Sequence, residues 1–205
     1  QFDFKSVDYY LDEAGKRGAR LVLAIGQKTP RWPECHLPAW AKVLPAKEFS
    51  ARRLKYIEAV VMRYRAHPAL ATWQVENEPF LGFGVCPPFS RAELATEVAT
   101  VRALDATHKI LVTDSGELST WRKTGRAGDL FGTTLYRVVW NKYLGYFSYD
   151  WLPAAFYRLK LKLVGRSVAT ALVSELQAEP WIPGKHPNDV PLAEQFRSLS
   201  LARLK

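Results

Sequence analysis

Apolar and polar positions along the chain alternate between two rhythms. Five short apolar runs have the make-up of strands covered on both faces: RLVLAIG (residues 20–26), Leu70 to Glu76, KILVT (109–113), DLFGTTLYR (129–137) and VATALVS (168–174). Between them apolar residues return every three or four positions, the spacing of one helical face. Ser6 caps a first helix on Val7, Tyr10, Leu11 and Ala14, closed by Gly18. Ser50 caps a second on Leu54, Ile57, Val61 and Tyr64, ended by His67-Pro68. Ser90 and Glu93 form a capping box for a third, on Leu94, Val98, Val101 and Leu104. Further helices begin at Pro153 and Pro191, the last on Leu192, Phe196, Leu199 and Leu204. The stretch around Leu118 to Arg126 is poorly patterned, and the loop QKTPRWPECHLPAWAKVLP carries four prolines and two tryptophans.

Strand and helix thus alternate five times, which predicts an α/β fold of parallel strands joined by right-handed crossovers, one domain spanning residues 1–205. The unusual polar residues gather after strands rather than before them, and in such folds the site lies at the carboxyl ends of the strands. Periodicity leaves a doubly wound sheet and a barrel both open. No GxGxxG or GxxxxGK[ST] follows the first strand, which counts against a nucleotide site.

Composition adds three points. Seven Trp and nine Tyr are the residue types a sugar cleft uses, a flat apolar face with a polar tip, although core packing uses them too. The formal charge of +9 is spread over helical stretches such as ARRLKYIEAVVMRYR and YRLKLKLVGR, which read as solvated outer faces. No nucleic-acid motif accompanies them, so the partners left for a basic surface are anionic polysaccharide or membrane headgroups. Cys35 and Cys86 fall in loops after neighbouring strands, where a disulfide is feasible and would argue for an exported protein. The opening QFDFKSVDYY has no signal-peptide pattern, no apolar run reaches the ~18 residues of a membrane span, and the four histidines lack ligand spacing. Neither a metal nor a cofactor is expected, and the oligomeric state is not legible.

The stretch WQVENEPF begins like a buried strand and ends in residues that are expensive to bury without partners or a task. Glu78 lies just past the second strand and Glu175 at the end of the fifth. Two carboxyls facing one another across a cleft suit glycosidic cleavage, one held protonated for the leaving oxygen and the other attacking the anomeric carbon or activating water. An apolar strand before each favours a raised carboxyl pKa. By position alone, a loop-capping or ion-pairing glutamate fits as well.

TWQVENEPF resembles the fourth-strand signature of the retaining β-glycosidases of glycoside hydrolase clan A, and SELQ resembles that clan's seventh-strand ending. The wording WQVENEP and PRWPECHLPAW is similar to the cellulase-like and microbial β-galactosidase-like families more than to the xylanases. The resemblance implies a (β/α)8 TIM barrel, incomplete here at about five βα units, with strands three to seven present. It implies hydrolysis of β-glycosidic bonds in an oligo- or polysaccharide, with Glu78 as acid/base and Glu175 as nucleophile. Asn77 maps to the amide that binds the hydroxyl beside the anomeric centre, and Tyr136, in YRVVW, to a tyrosine that hydrogen-bonds the nucleophile. Glu179 is the rival nucleophile, set aside because it lies four residues beyond the strand. With Trp181 and Trp32 it is expected to line the sugar site, and His36 to meet a hydroxyl. Glu76 is expected to pair with a basic residue from a neighbouring strand.

Strands one, two and eight have no residues here, and with them go a basic residue near the nucleophile and a tryptophan after strand eight. The reading is a fragment of a longer protein, extracellular or on the cell surface if the full-length protein carries a signal sequence. A five-stranded arc leaves two edges and apolar surface exposed. The alternatives are a catalytically inactive carbohydrate-binding or cell-surface protein that retains the cleft, and an electrostatic binder of anionic polymer.

Overall fold

A computed structural model of the chain describes residues 2–141, 145–149 and 151–177. The strands are β1 (Leu21–Ile25), β2 (Leu70–Val75), β3 (Lys109–Asp114), β4 (Leu130–Leu135), β5 (Val138–Asn141), β6 (Gly145–Ser148) and β7 (Ala171–Leu176). The helices are α1 (Lys5–Lys16), α2 (Ala46–Tyr64), α3 (Arg91–Leu104) and α4 (Ala154–Leu163). Five strands form one sheet in the order β1-β2-β3-β4-β7, every neighbouring pair parallel. All five carboxyl ends therefore point to one side, where the functional loops gather.

The core lies between the sheet and the helices. Leu11, Ile57, Val61, Trp73, Leu94, Val101 and Ile110 are buried together, and Trp73 satisfies its indole N–H on Asp105 Oδ2 at 2.8 Å. Burial of such aliphatic side chains contributes about 1.5–3 kcal/mol each. Ser90 and Glu93 make the expected capping box at the start of α3. A second cluster, Trp121, Phe131, Leu161 and Val164, packs the helix-free segment between β3 and β4 against α4.

Several local expectations are corrected. Ser50 caps nothing: α2 starts four residues earlier, behind Pro45, and the Ser50 hydroxyl donates instead to Glu93 Oε1 at 2.9 Å. Helix α1 begins behind Phe4 rather than at Ser6, and Tyr10 faces solvent at 66% exposure. Residues 168–170 form a 3-10 turn, so the fifth parallel strand begins at Ala171 and Glu175 lies within it. Arg53 and Lys160, read as parts of solvated faces, are buried. Arg53 sits between α2 and α3 on Glu97, Glu93 and Gln27, whereas Lys160 donates to the Gly116 carbonyl at 2.5 Å and lies 3.9 Å over the Trp121 ring. After β4, where the sequence predicts no element until Pro153, β5 and β6 pair antiparallel. The Pro191 helix lies outside the described residues.

Cys35 and Cys86 form a disulfide that ties the loop after β1 to the loop after β2. Strands β1 and β7 are the sheet's two edges, and Val22, Leu172, Val173 and Leu176 on them are exposed, as a five-stranded arc requires.

Candidate active site

The site is built where β2 ends. Glu76 and Glu78 both adopt left-handed backbone conformations, φ +61° and +44°, which cost roughly 1–3 kcal/mol each unless the surroundings enforce them. Here they do. The Glu76 N–H donates to the Ile25 carbonyl at 2.9 Å, that of Asn77 to the Lys28 carbonyl at 2.8 Å, and that of Glu78 to Thr113 Oγ1 at 3.0 Å.

Glu76 turns inward rather than into the cleft. Its carboxyl accepts the backbone N–H groups of Gln27 at 2.5 Å and Lys28 at 2.7 Å, fixing the loop after β1. A Cβ on Gly26 would fall 2.2 Å from Glu76 Oε1, which together with its φ of +122° explains glycine there. The basic partner expected from a neighbouring strand is not found among the described residues: Arg53, on α2, pairs with Glu97 instead, its Nε 2.5 Å from Glu97 Oε1. Burial, followed by the charge of Glu97, drives Glu76 well above the usual carboxyl range.

The Glu78 side chain reaches across β3. Its Oε1 accepts the Thr134 hydroxyl of β4 at 2.9 Å, and Thr134 is the register partner of Glu175 on β7. Register partners on adjacent strands project to the same face about 5 Å apart. Glu78 and Glu175 are thereby linked through Thr134 although their strands are not neighbours. Burial pushes the Glu78 carboxyl up to about 7, Thr134 works against that shift, and the Glu175 charge adds to it. Tyr136 Oη donates to Glu175 Oε2 at 3.0 Å, while Glu175 Oε1 is buried without a hydrogen-bond partner among the described residues. Two residues on, Gln177 accepts from the Val138 N–H at 2.9 Å and donates to the Val138 carbonyl at 2.7 Å, which locks the hairpin beside Glu175.

Asn77 is fixed at both ends of its amide. Its Oδ1 accepts from Gln74 Nε2 at 3.0 Å and from the Thr113 hydroxyl at 3.2 Å, and its Nδ2 faces Glu34 Oε2 at 3.4 Å. Lys28 runs beneath, buried, donating to the carbonyls of Glu78 and Leu81 at 3.1 Å each and lying 3.8 Å from Glu34 Oε2.

No family model matches this chain, and no curated protein does. Solved structures do. Xylanase A of P. fluorescens subsp. cellulosa, a mutant solved with xylopentaose, superposes with TM-score 0.59 at 18% identity, over 84% of this chain and 54% of that one. A psychrophilic glycoside hydrolase family 10 endo-β-1,4-xylanase gives 0.52 at 16% identity, over 80% and 56%. A catalytic mutant of Gan42B, a family 42 β-galactosidase from G. stearothermophilus, gives 0.52 at 14% identity, over 80% and 36%. The fold is an incomplete TIM barrel of the kind these glycosidases have. The chain spans between about a third and just over half the length of these structures. Xylanases and β-galactosidases both superpose, so the likeness does not favour one wording of the motif over the other.

Of the residues expected at the site, Glu78 is linked to Glu175 through Thr134, Tyr136 hydrogen-bonds Glu175, and Asn77 contacts Thr113 and Glu34. Trp32 stands at the rim, 64% exposed and packed edge-on against Phe83 at 5.6 Å between centroids. His36 is exposed, its Nε2 lying 3.3 Å from the Arg31 carbonyl, and the structure brings it to none of the carboxyls by hydrogen bond. Glu179 and Trp181 lie outside the described residues.

Four groups at the site escape the sequence reading. Thr113 and Thr134 are polar side chains near the carboxyl ends of otherwise apolar strands, the same signal that singles out Glu78, and they are findable by it. Lys28 and Glu34 sit in the proline-rich loop, where no period distinguishes them. Among the described residues no His, Cys, Asp and Glu cluster has the make-up of a metal site, and no helix is long and apolar enough to cross a membrane.

Proposed function

We propose that this chain carries the catalytic cleft of a retaining β-glycoside hydrolase acting on oligo- or polysaccharide. The observation that carries the reading is the Thr134 bridge: this hydroxyl binds Glu78 while its own backbone is paired with Glu175. Two carboxyls brought to one face suit a double displacement. Glu78, raised to about 7, is poised to give a proton to the leaving oxygen and to take one from water in the second step. Glu175 attacks the anomeric carbon as the carbon–oxygen bond breaks, forming a glycosyl ester that water then cleaves. The Tyr136 hydroxyl holds Oε2 of Glu175, and the attacking oxygen is Oε1, which has no hydrogen bond among the described residues. Asn77 is the donor for the hydroxyl beside the anomeric centre.

The exposed apolar edges at β1 and β7 support a further part of the reading, that additional sequence completes the barrel. The Cys35–Cys86 bridge supports an oxidising compartment.

Incubation of the full-length protein with aryl β- and α-glycosides tests the activity: release from β-glycosides alone is expected. Oligosaccharide binding without turnover would replace the enzyme by a binding protein that keeps the cleft. Within the enzyme, Thr134→Val is expected to move the alkaline limb of the kcat/KM profile to higher pH. The lost hydroxyl favours ionised Glu78, and without it the acid form persists further. An unmoved limb would remove Glu78 from the acid role.

A further inference from the structure

We infer that Glu34 is a third carboxylate of the substrate pocket, accepting hydrogen bonds from the hydroxyls of an uncharged sugar and setting the site against uronic acids; this deepens the glycosidase reading and rests on it.

Glu34 is held as firmly as Glu76 and Glu78 after β2. Its backbone is left-handed at φ +71°, its carbonyl accepts the Thr29 N–H at 2.9 Å, and the next residue is the bridged Cys35. The turn at Gly84 is moulded onto it: a Cβ at Gly84, φ +92°, would come within 2.8 Å of both Glu34 Cβ and Cγ. The chain thus fixes a buried carboxyl beside Asn77, a costly arrangement for a group with no task.

Its partners leave it short of donors. Asn77 Nδ2 is at 3.4 Å, the long limit of a hydrogen bond, and Lys28 Nζ at 3.8 Å. Lys28 is already engaged by the carbonyls of Glu78 and Leu81. A carboxylate has about four acceptor positions. Sugar hydroxyls are the donors that fit: two neighbouring O–H groups satisfy both oxygens at once, and the exposed Trp32, two residues away, offers a flat face for the ring.

Charge narrows the class of sugar. Burial first, and the Glu175 carboxylate after it, push Glu34 and Glu78 upward, and the buried Lys28 works against the rise in both. A substrate carboxylate entering here meets like charge in a partly desolvated cleft, whereas hydroxyls meet none. Neutral hexosides and pentosides are therefore the substrates, and β-glucuronides are rejected.

The variant Glu34→Gln keeps the shape and leaves an acceptor oxygen for Asn77 while removing the charge. Wild-type and variant full-length proteins are compared on 4-nitrophenyl β-glucoside, β-galactoside, β-xyloside and β-glucuronide. On the preferred neutral glycoside KM is expected to rise about tenfold with kcat changing less, the loss of roughly one hydrogen bond to a charged group. The preference for neutral glycoside over glucuronide is expected to fall by a similar factor. That preference is a ratio taken on one sample, so a poorly folded fraction cancels from it. Glu34→Asp, which keeps the charge, is expected to raise KM but retain the preference. If wild type cleaves neutral glycosides while Glu34→Gln leaves KM and the ratio unchanged, Glu34 is only a brace for Asn77 and the inference is wrong. If wild type prefers the glucuronide, the charge argument is wrong. If wild type cleaves no β-glycoside, the glycosidase reading fails and takes this inference with it.

Discussion

Glu175→Ala is expected to lower turnover of β-glycosides by about 10⁴-fold or more, the scale on which loss of a nucleophile collapses covalent catalysis. Its position explains the size of the effect. The residue lies within β7, so its backbone is fixed by pairing with β4, and its side chain is oriented by Tyr136. Of the other glutamates described at the site, Glu34 is tied to the Asn77 side and Glu78 to Thr134. Truncation to alanine leaves a small cavity beneath the anomeric carbon. Added azide is expected to enter it and, with an activated β-glycoside, to yield the α-glycosyl azide by a single inversion. Absence of that product, with the variant folded, would take the nucleophile role from Glu175.

Glu78→Ala has the second largest expected effect, about 10²–10⁴-fold on substrates with poor leaving groups, the range general acid catalysis supplies. With a good leaving group the first step needs no proton, so the glycosyl-enzyme accumulates and azide intercepts it as the β-glycosyl azide. The two variants thus give opposite anomers, which separates the two roles. The pH profile carries a second signature. Burial holds the Glu78 carboxyl up to about 7. A general acid works in its protonated form, so wild-type kcat/KM is expected to fall as pH rises through about 7. That limb is expected to vanish in the variant. Its persistence near the same pH would mean that another group is the acid.

The strands, and the glutamates that follow them, were legible because their signals are local. An apolar run ending in Glu76, Asn77 and Glu78 announces its own boundary, and the Ser90 and Glu93 cap is a four-residue pattern that the fold keeps. What escaped depends on partners far along the chain. Arg53 lies on a helical stretch rich in charge and reads as solvated, yet its ligands Gln27 and Glu97 are 26 and 44 residues away. Ser50 has the residue type of a cap, but Pro45 starts the helix sooner and Glu93 from α3 claims the hydroxyl. Glu76 and Glu78 have the same side chain two positions apart; the strained turn sends one to the loop after β1 and the other to Thr134 on β4, a division no periodicity predicts.

In the proposed reaction Glu175 becomes covalently bound to sugar while Glu78 handles the proton, and trapping that species is the most direct test. The full-length protein is incubated with an activated 2-deoxy-2-fluoro-β-glycoside of its best sugar, whose fluorine slows hydrolysis of the intermediate. Intact-mass measurement followed by peptide mapping then locates the label. One sugar per polypeptide on the peptide containing Glu175, lost in Glu175→Ala, is the predicted result. A label on Glu34, Glu78 or Glu179, or turnover with inversion and no label at all, would contradict it.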